Sequence, residues 1–358
     1  MATETPRPPL ANLTSLRFFA ASYVLLFHTR GGVWFREGIT GVTLFFVLSG
    51  FILAYNYPGI PASGRRRFYL SRVARIYPLY VVSGLAMLPY AGAHLLAQGG
   101  KFFAVEMALY LTFLQTWYPP NHYLLNAGGW TLSVEATFYL LFPFLIGYFL
   151  RLRKHWIVGI GVAYAALLLP SLLGLLVWVP RHPTEADTVH AILSLPIFHM
   201  GEFFIGIFFG LHYLDRRPAI SGWAVLAATA LCVVTLVLIG PVPKNIFEIV
   251  LNGLMALPYG LLIYTMAGWK SRVFGHPILQ LGGEISFSIY LLQWVLVDLV
   301  QRLFHHNRGM IPLRFFLFLV AAYISYQVIE KPSRRLLLKW FGIRSHPKPI
   351  ETPDPTLP

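Results

Sequence analysis

From about residue 13 to residue 329 the chain is a succession of long apolar stretches, joined by short connections that carry Arg, Pro or Gly. Each stretch is long enough, or nearly so, to cross about 30 Å of hydrocarbon as a helix. A soluble core is excluded: of 358 residues 56% are hydrophobic and only 12% charged, with a mean hydropathy of +0.62, far outside the usual soluble range. The expected fold is an all-α integral membrane protein, a bundle of about ten transmembrane helices plus a re-entrant or interfacial helix.

The ten spans fall at roughly residues 13–30, 39–57, 77–97, 130–150, 156–179, 190–213, 221–240, 246–268, 277–301 and 311–330. Segment 101–118 is the re-entrant or interfacial candidate, being short, carrying Lys101 and Glu106 near one end and finishing in an aromatic and proline cluster. Charge supports the count, because Lys and Arg accumulate in short cytoplasmic loops. With the N-terminus inside, the inner loops hold Arg65, Arg66, Arg67, Arg72, Arg75, Arg151, Arg153, Lys154, Arg216, Arg217, Lys270 and Arg272, and the end of the chain adds Lys331, Arg334, Arg335 and Lys339. The outer loops mix scattered Arg36, Lys101, Arg181, Lys244, Arg302 and Arg308 with acidic residues. An eleventh span would move every later basic cluster to the wrong side.

The domain plan is a flexible cytoplasmic N-terminal tail at 1–11, a membrane domain at 12–335 and a Pro-rich cytoplasmic tail at 336–358. The polar N-terminal residues lack the pattern of a cleavable signal peptide, so the first span is expected to act as its own insertion signal. The net charge of +14 is read as topology and not as a nucleic-acid surface, since the basic residues punctuate spans instead of forming one patch. Cys232 is the single cysteine and lies in an apolar span, which excludes a disulfide framework and a thiolate metal site,. No metal site is expected.

The chemistry-bearing residues are those that a structural bundle would not need. Arg17 and His28 lie in one apolar stretch, where ionisable groups are expensive and usually face a cavity or the bundle interior. Eleven helical positions put them roughly 16 Å apart along the axis and about 20° apart around it, on one face. Arg72 and Arg75 are three apart at the entrance to the third span, a spacing that turns both guanidinium groups the same way for phosphate binding; the plainer explanation is a lipid-headgroup anchor. Glu135 sits just inside the outer end of the fourth span, at the depth expected for His28. A carboxylate beside a histidine would fix the ring tautomer and stabilise the imidazolium while the histidine takes a proton from a hydroxyl. Ser49 and Gly50 are read as small residues that allow close helix packing, and Glu284 and Glu330 as neutralisers of nearby arginines.

Together these residues spell a pattern. Arg17 and His28 with ten residues between them, FFVLSGF, RxxRIYPLY, TLSVEATFYL, SFSIYLLQ and the closing EKP resemble, in this order, the acyltransferase 3 family of membrane O-acyltransferases over residues 10–335. The resemblance implies a ten-span bacterial inner-membrane protein with both termini cytoplasmic. It implies transfer of an acyl group, commonly acetyl, from acyl-CoA as co-substrate to a carbohydrate or lipid-linked glycan hydroxyl, with macrolide-type natural products as the alternative acceptors. Membrane lipids are the remaining partner, and no cofactor is held permanently. The matched positions are His28 and Glu135 as catalytic residues, with Arg17, Arg72 and Arg75 binding acyl-CoA. His28 would either deprotonate the acceptor or carry the acyl group itself. Departures are Thr43 where many relatives have aspartate, Ala136 where a second glutamate is common, and Gln293 in place of a frequent histidine. No soluble hydrolase-like domain of the kind some relatives carry is appended, so the membrane domain is expected to complete the chemistry. A proton-coupled transporter would also place Arg, His and Glu in spans, but no internal repeat marks one.

Overall fold

The computed structural model describes residues 7–28, 38, 40–118, 125–173, 176–177, 194–239, 247–304 and 311–343, with the side chains of 247–252 and 298–304 excepted. Arg36, Arg181, Lys244, Arg302 and Arg308, scattered through the expected outer loops, lie outside the described residues or side chains. The helices are α1 Ala11–His28, α2 Thr40–Asn56, α3 Ala62–Ala97, α4 Gly100–Leu111, α5 Trp130–Leu152, α6 Trp156–Leu173, α7 Met200–Arg216, α8 Gly222–Ile239, α9 Phe247–Gly268, α10 Pro277–Phe304, α11 Ile311–Ser325 and α12 Lys331–Trp340. A π-helical turn, Tyr326–Glu330, joins the last two. No strand occurs among the described residues, where an isolated bridge links Ile220 and Trp269.

Over the described residues, each apolar stretch read from the sequence coincides with helix, as expected where every backbone N–H and C=O has to be satisfied within its own segment. Five helical segments are long and apolar enough to cross a membrane by length and composition: Ala62–Ala97, Ala127–Leu152, Trp156–Leu173, Pro196–Arg216 and Ile311–Trp340. Shorter apolar helices run over Thr40–Asn56, Gly222–Leu238 and Gly253–Gly268. On α8, Trp223 is 80% exposed, with Val237 and Leu238 also open, a surface suited to lipid and not to water. Prolines 78, 89, 143, 170 and 258 stand inside helices, where a membrane bundle tolerates them.

Segment 101–118 forms α4 and a 3-10 turn at Gln115–Trp117. Twelve residues span only about 18 Å, too little to cross the bilayer. Reciprocal hydrogen bonds hold α4 to α3: Tyr80 Oη donates to the Tyr110 carbonyl at 2.8 Å and Tyr110 Oη to the Tyr80 carbonyl at 2.9 Å, with the rings stacked.

Between most helix pairs in a membrane the hydrophobic effect gives no net attraction, so close backbone approach through small residues takes its place. The pair α2 and α7 is built this way. A Cβ on Gly50 would strike the Phe203 carbonyl, one on Gly206 the Val47 carbonyl, and one on Gly210 the Phe51 carbonyl. Gly206 and Gly210 are a G-x-x-x-G pair. In the same manner Gly283 brings α10 against the Thr14 carbonyl of α1. Polar pins add register: Asn12 Nδ2 donates to the Met266 carbonyl, and Gln280 Nε2 to the Ala11 carbonyl and Ser15 Oγ. The segment Arg7–Leu10, assigned to the N-terminal tail from sequence, lies against the bundle, where Tyr55 Oη donates to the Pro8 carbonyl at 3.0 Å. At the other end, α12 carries the helix through Trp340 into the segment assigned to the C-terminal tail.

The glycine contacts make a prediction. Gly206→Ile forces α2 from α7 and should cost at least the roughly 1–3 kcal/mol typical of overpacking, whereas Gly161→Ile, at a position with open space around it, should be neutral. Thermal unfolding of the two purified variants checks this, and equal midpoints would remove the glycine contact as the basis of the pairing.

Candidate active site

Helices α1, α2, α3, α5 and α10 surround a cavity of about 390 Å³. One end is walled by Arg7, Pro8, Tyr55 and Asn56, at the N-terminus of α1 and the C-terminus of α2; the other reaches Val42, Phe46, Thr131 and Tyr290. Four arginines line it, Arg7, Arg17, Arg72 and Arg75, against a single lining carboxylate, Glu135. The i,i+3 placement of Arg72 and Arg75 on α3 turns both into the same space, as the sequence reading expects, and Arg17 of α1 meets them from the opposite wall.

These charges are only partly balanced. Arg17 interacts electrostatically with Arg75 and with Glu135 and Glu330. Glu135 accepts from Ser49 Oγ at 2.7 Å and from Tyr139 Oη at 3.1 Å, the tyrosine lying one helical turn further along α5. Glu330, on the π-helical turn, accepts from Ser288 Oγ at 2.9 Å, and Glu284 accepts from Tyr326 Oη at the same distance. Arg72 donates to Tyr57 Oη at 3.3 Å, and its guanidinium lies over the rings of Tyr57, Phe68 and Tyr139. Its buried Nε has no hydrogen-bond partner among the described residues.

His28 occupies a different place. It is the last residue of α1 and does not line the arginine cavity. Its ring packs edge-on against Trp294 and Phe27, with centroids 4.7 and 4.9 Å away. Nδ1 lies 2.9 Å from the Val24 carbonyl. A carbonyl only accepts, so the proton is on Nδ1, and in the neutral ring Nε2 keeps its lone pair. The buried side chain of Gln293 also faces the ring.

The expected pairing of Glu135 with His28 is therefore corrected. Glu135 bonds to Ser49 and Tyr139, and a backbone carbonyl sets the histidine tautomer in its place. The cause is depth: α5 begins at Trp130, so Glu135 lies about one and a half turns inside, while His28 ends its helix. A 3-10 turn fixes that start, with Gly128 N donating to Asn126 Oδ1 and Asn126 Nδ2 to the Leu291 carbonyl. The packing role read for Ser49 belongs to Gly50 alone, and Ser49 faces the cavity.

One cluster escaped the sequence reading. Glu202, 1% exposed, accepts from Thr43 Oγ1 at 2.9 Å and lies 3.0 Å from His199 Nδ1. The His199 ring meets Phe46 and Trp130, so this network stands behind the deep wall of the cavity and ties α2 to α7. A histidine and a glutamate three apart inside an apolar run was the available signal.

A family model described as an acyltransferase domain matches residues 10–330. The chain belongs to the acyltransferase 3 family. It is similar to "Acyltransferase MdmB" of Streptomyces mycarofaciens, at 26% identity over 97% of each chain. It is also similar to "Putative O-acetyltransferase SAR0937" of Staphylococcus aureus (strain MRSA252), at 22% identity over 94% of this chain and 59% of that protein. A shorter similarity, 30% identity over 42% of this chain and 48% of the relative, links it to "Nodulation protein 10" of Rhizobium leguminosarum bv. viciae. No solved structure matches. The protein is a membrane acyltransferase.

Because Glu135 faces the arginines and not His28, Glu135→Gln should alter the affinity for an anionic substrate while leaving the pH dependence of acyl transfer in place. A pH–rate profile of the variant checks this, and an acid limb moved by about a unit or more would return Glu135 to the histidine.

Proposed function

We propose that the protein is an O-acyltransferase moving an acyl group, in the simplest case acetyl, from cytoplasmic acyl-CoA to a hydroxyl of a carbohydrate or lipid-linked glycan. The observation that carries this reading is the cavity lined by four arginines and one carboxylate. Cations in that excess need an anionic occupant, and guanidinium forks match phosphate oxygens. In this reading the protein crosses a bacterial plasma membrane ten times with both termini in the cytoplasm, and the cavity opens toward the cytoplasm, where CoA thioesters are made. The carbohydrate acceptor is taken from the family resemblance.

The CoA diphosphate lies against Arg72 and Arg75, and Arg17 draws the donor inward. The pantetheine chain then bridges the roughly 16 Å that separates Arg17 from His28 along α1. Nε2 of His28 takes the proton of the acceptor hydroxyl as its oxygen attacks the thioester carbonyl. The tetrahedral intermediate expels the CoA thiolate, which takes from the imidazolium the proton that the acceptor hydroxyl gave up, leaving an ester and free CoA. Glu135, with Ser49 and Tyr139, holds Arg17 in position. Transfer of the acyl group to Nε2 before the acceptor arrives is the competing sequence of the same steps.

The test uses the purified protein in lipid nanodiscs with labelled acetyl-CoA, following transfer to a glycan acceptor or slow thioester hydrolysis. His28→Ala should lower the rate by about 10²–10⁴ with normal accumulation in the membrane, and wild-type turnover in that variant would remove His28 from the chemistry. Arg72→Gln combined with Arg75→Gln should raise the KM for acetyl-CoA at least about tenfold and leave the acceptor KM unchanged. An unmoved donor KM would return both arginines to a role in topology.

A further inference from the structure

The segment ahead of α1 forms part of the cavity mouth, since Arg7, Pro8, Pro9 and Leu10 all line it. Consecutive prolines restrict its backbone. The Tyr55 hydroxyl holds it through the Pro8 carbonyl, and the Arg7 guanidinium lies 5.7 Å from the Tyr55 ring centroid. Nη1 of Arg7 is buried and has no hydrogen-bond partner among the described residues. Glu135, the carboxylate of the lining, is engaged by Ser49 and Tyr139. A buried guanidinium nitrogen without an acceptor is costly, and an anion entering the mouth would supply one.

We propose that Arg7 binds the phosphate on the terminal ribose of the donor, so that this segment selects CoA thioesters over thioesters that lack the 3′-phosphate. The inference rests on the acyl-CoA reading above and follows from the order of groups along that molecule: thioester, pantetheine, diphosphate, then the phosphorylated ribose. Arg17 lies six residues into α1, about 9 Å from its start, whereas Arg7 precedes the helix. With the thioester innermost and the diphosphate at Arg72 and Arg75, the ribose phosphate is the group left at the entrance. A guanidinium fork with one nitrogen buried and unpartnered among the described residues is suited to hold it.

The experiment measures dissociation constants of CoA and 3′-dephospho-CoA on the full-length protein in nanodiscs, for wild type, Arg7→Gln and Arg7→Lys. Wild type should prefer CoA. Arg7→Gln should weaken CoA binding about tenfold, the order expected for a charge-assisted hydrogen bond, and leave dephospho-CoA within about twofold, with Arg7→Lys between the two. An Arg7→Gln variant that keeps the full preference, or loses affinity equally for both ligands, overturns the assignment while the acyl-CoA reading stands. The same holds if wild type binds the two ligands equally. A wild-type protein that binds neither overturns both.

Discussion

Positive charge held among apolar helices is the constraint around which this protein is organised. An ion removed from water loses several kcal/mol of hydration even after relaxation, and in a membrane the loss is offset only by partners, a water-filled cavity or a ligand. Arg17, Arg72 and Arg75 meet in one cavity, and the chain meets their cost in pieces. Glu135 and Glu330 interact with Arg17, three aromatic rings surround the Arg72 guanidinium, and hydroxyls from Ser49, Tyr139 and Ser288 fix the carboxylates. The balance stays positive, which is the property the proposed polyanionic donor would require.

The scaffold supports that site through backbone contact more than through side-chain bulk. On α2, Gly50 touches α7 while its neighbour Ser49 reaches the cavity, and the 100° step between successive helical residues makes the two roles compatible. A side chain at Gly50 or Gly206 would separate the helices and, with them, carry Ser49 from Glu135. The Thr43, Glu202 and His199 network adds a polar bond to the same interface. Packing and electrostatics are thus coupled at one helix pair.

Much of this was legible in the sequence because axial position is written there. Hydropathy located the helices, and the spacing of Arg72 and Arg75, or of Arg17 and His28, reported which residues share a face of one helix. What a single helix cannot report is its rotation and depth relative to its neighbours. Sequence position puts Glu135 level with His28, since both stand near a helix end, yet the 3-10 turn at Ala127–Gly129 and its Asn126 cap set α5 so that Glu135 bonds to Ser49. The network around Glu202 is invisible locally because Thr43, which donates to it, is 159 positions away. Nothing local signals that Tyr55 holds the segment of Arg7, which sequence alone assigns to a tail.

The displacement of Glu135 from His28 changes the chemistry that the site can perform. A histidine backed by a carboxylate accumulates charge as it takes a proton, because the carboxylate stabilises the imidazolium. His28 is backed by the Val24 carbonyl and flanked by Trp294, Phe27 and Gln293, all uncharged. A base in that setting works best when it holds the proton briefly and returns it within the same turnover. In the proposed reaction the leaving thiolate of the CoA ester accepts that proton, so proton abstraction and departure of the thiol would be two halves of one transfer. In the proposed reaction the two regions divide the labour: the arginine cavity would hold and align the charged donor, and His28, outside that cavity, would move a single proton from the acceptor oxygen to the departing sulfur.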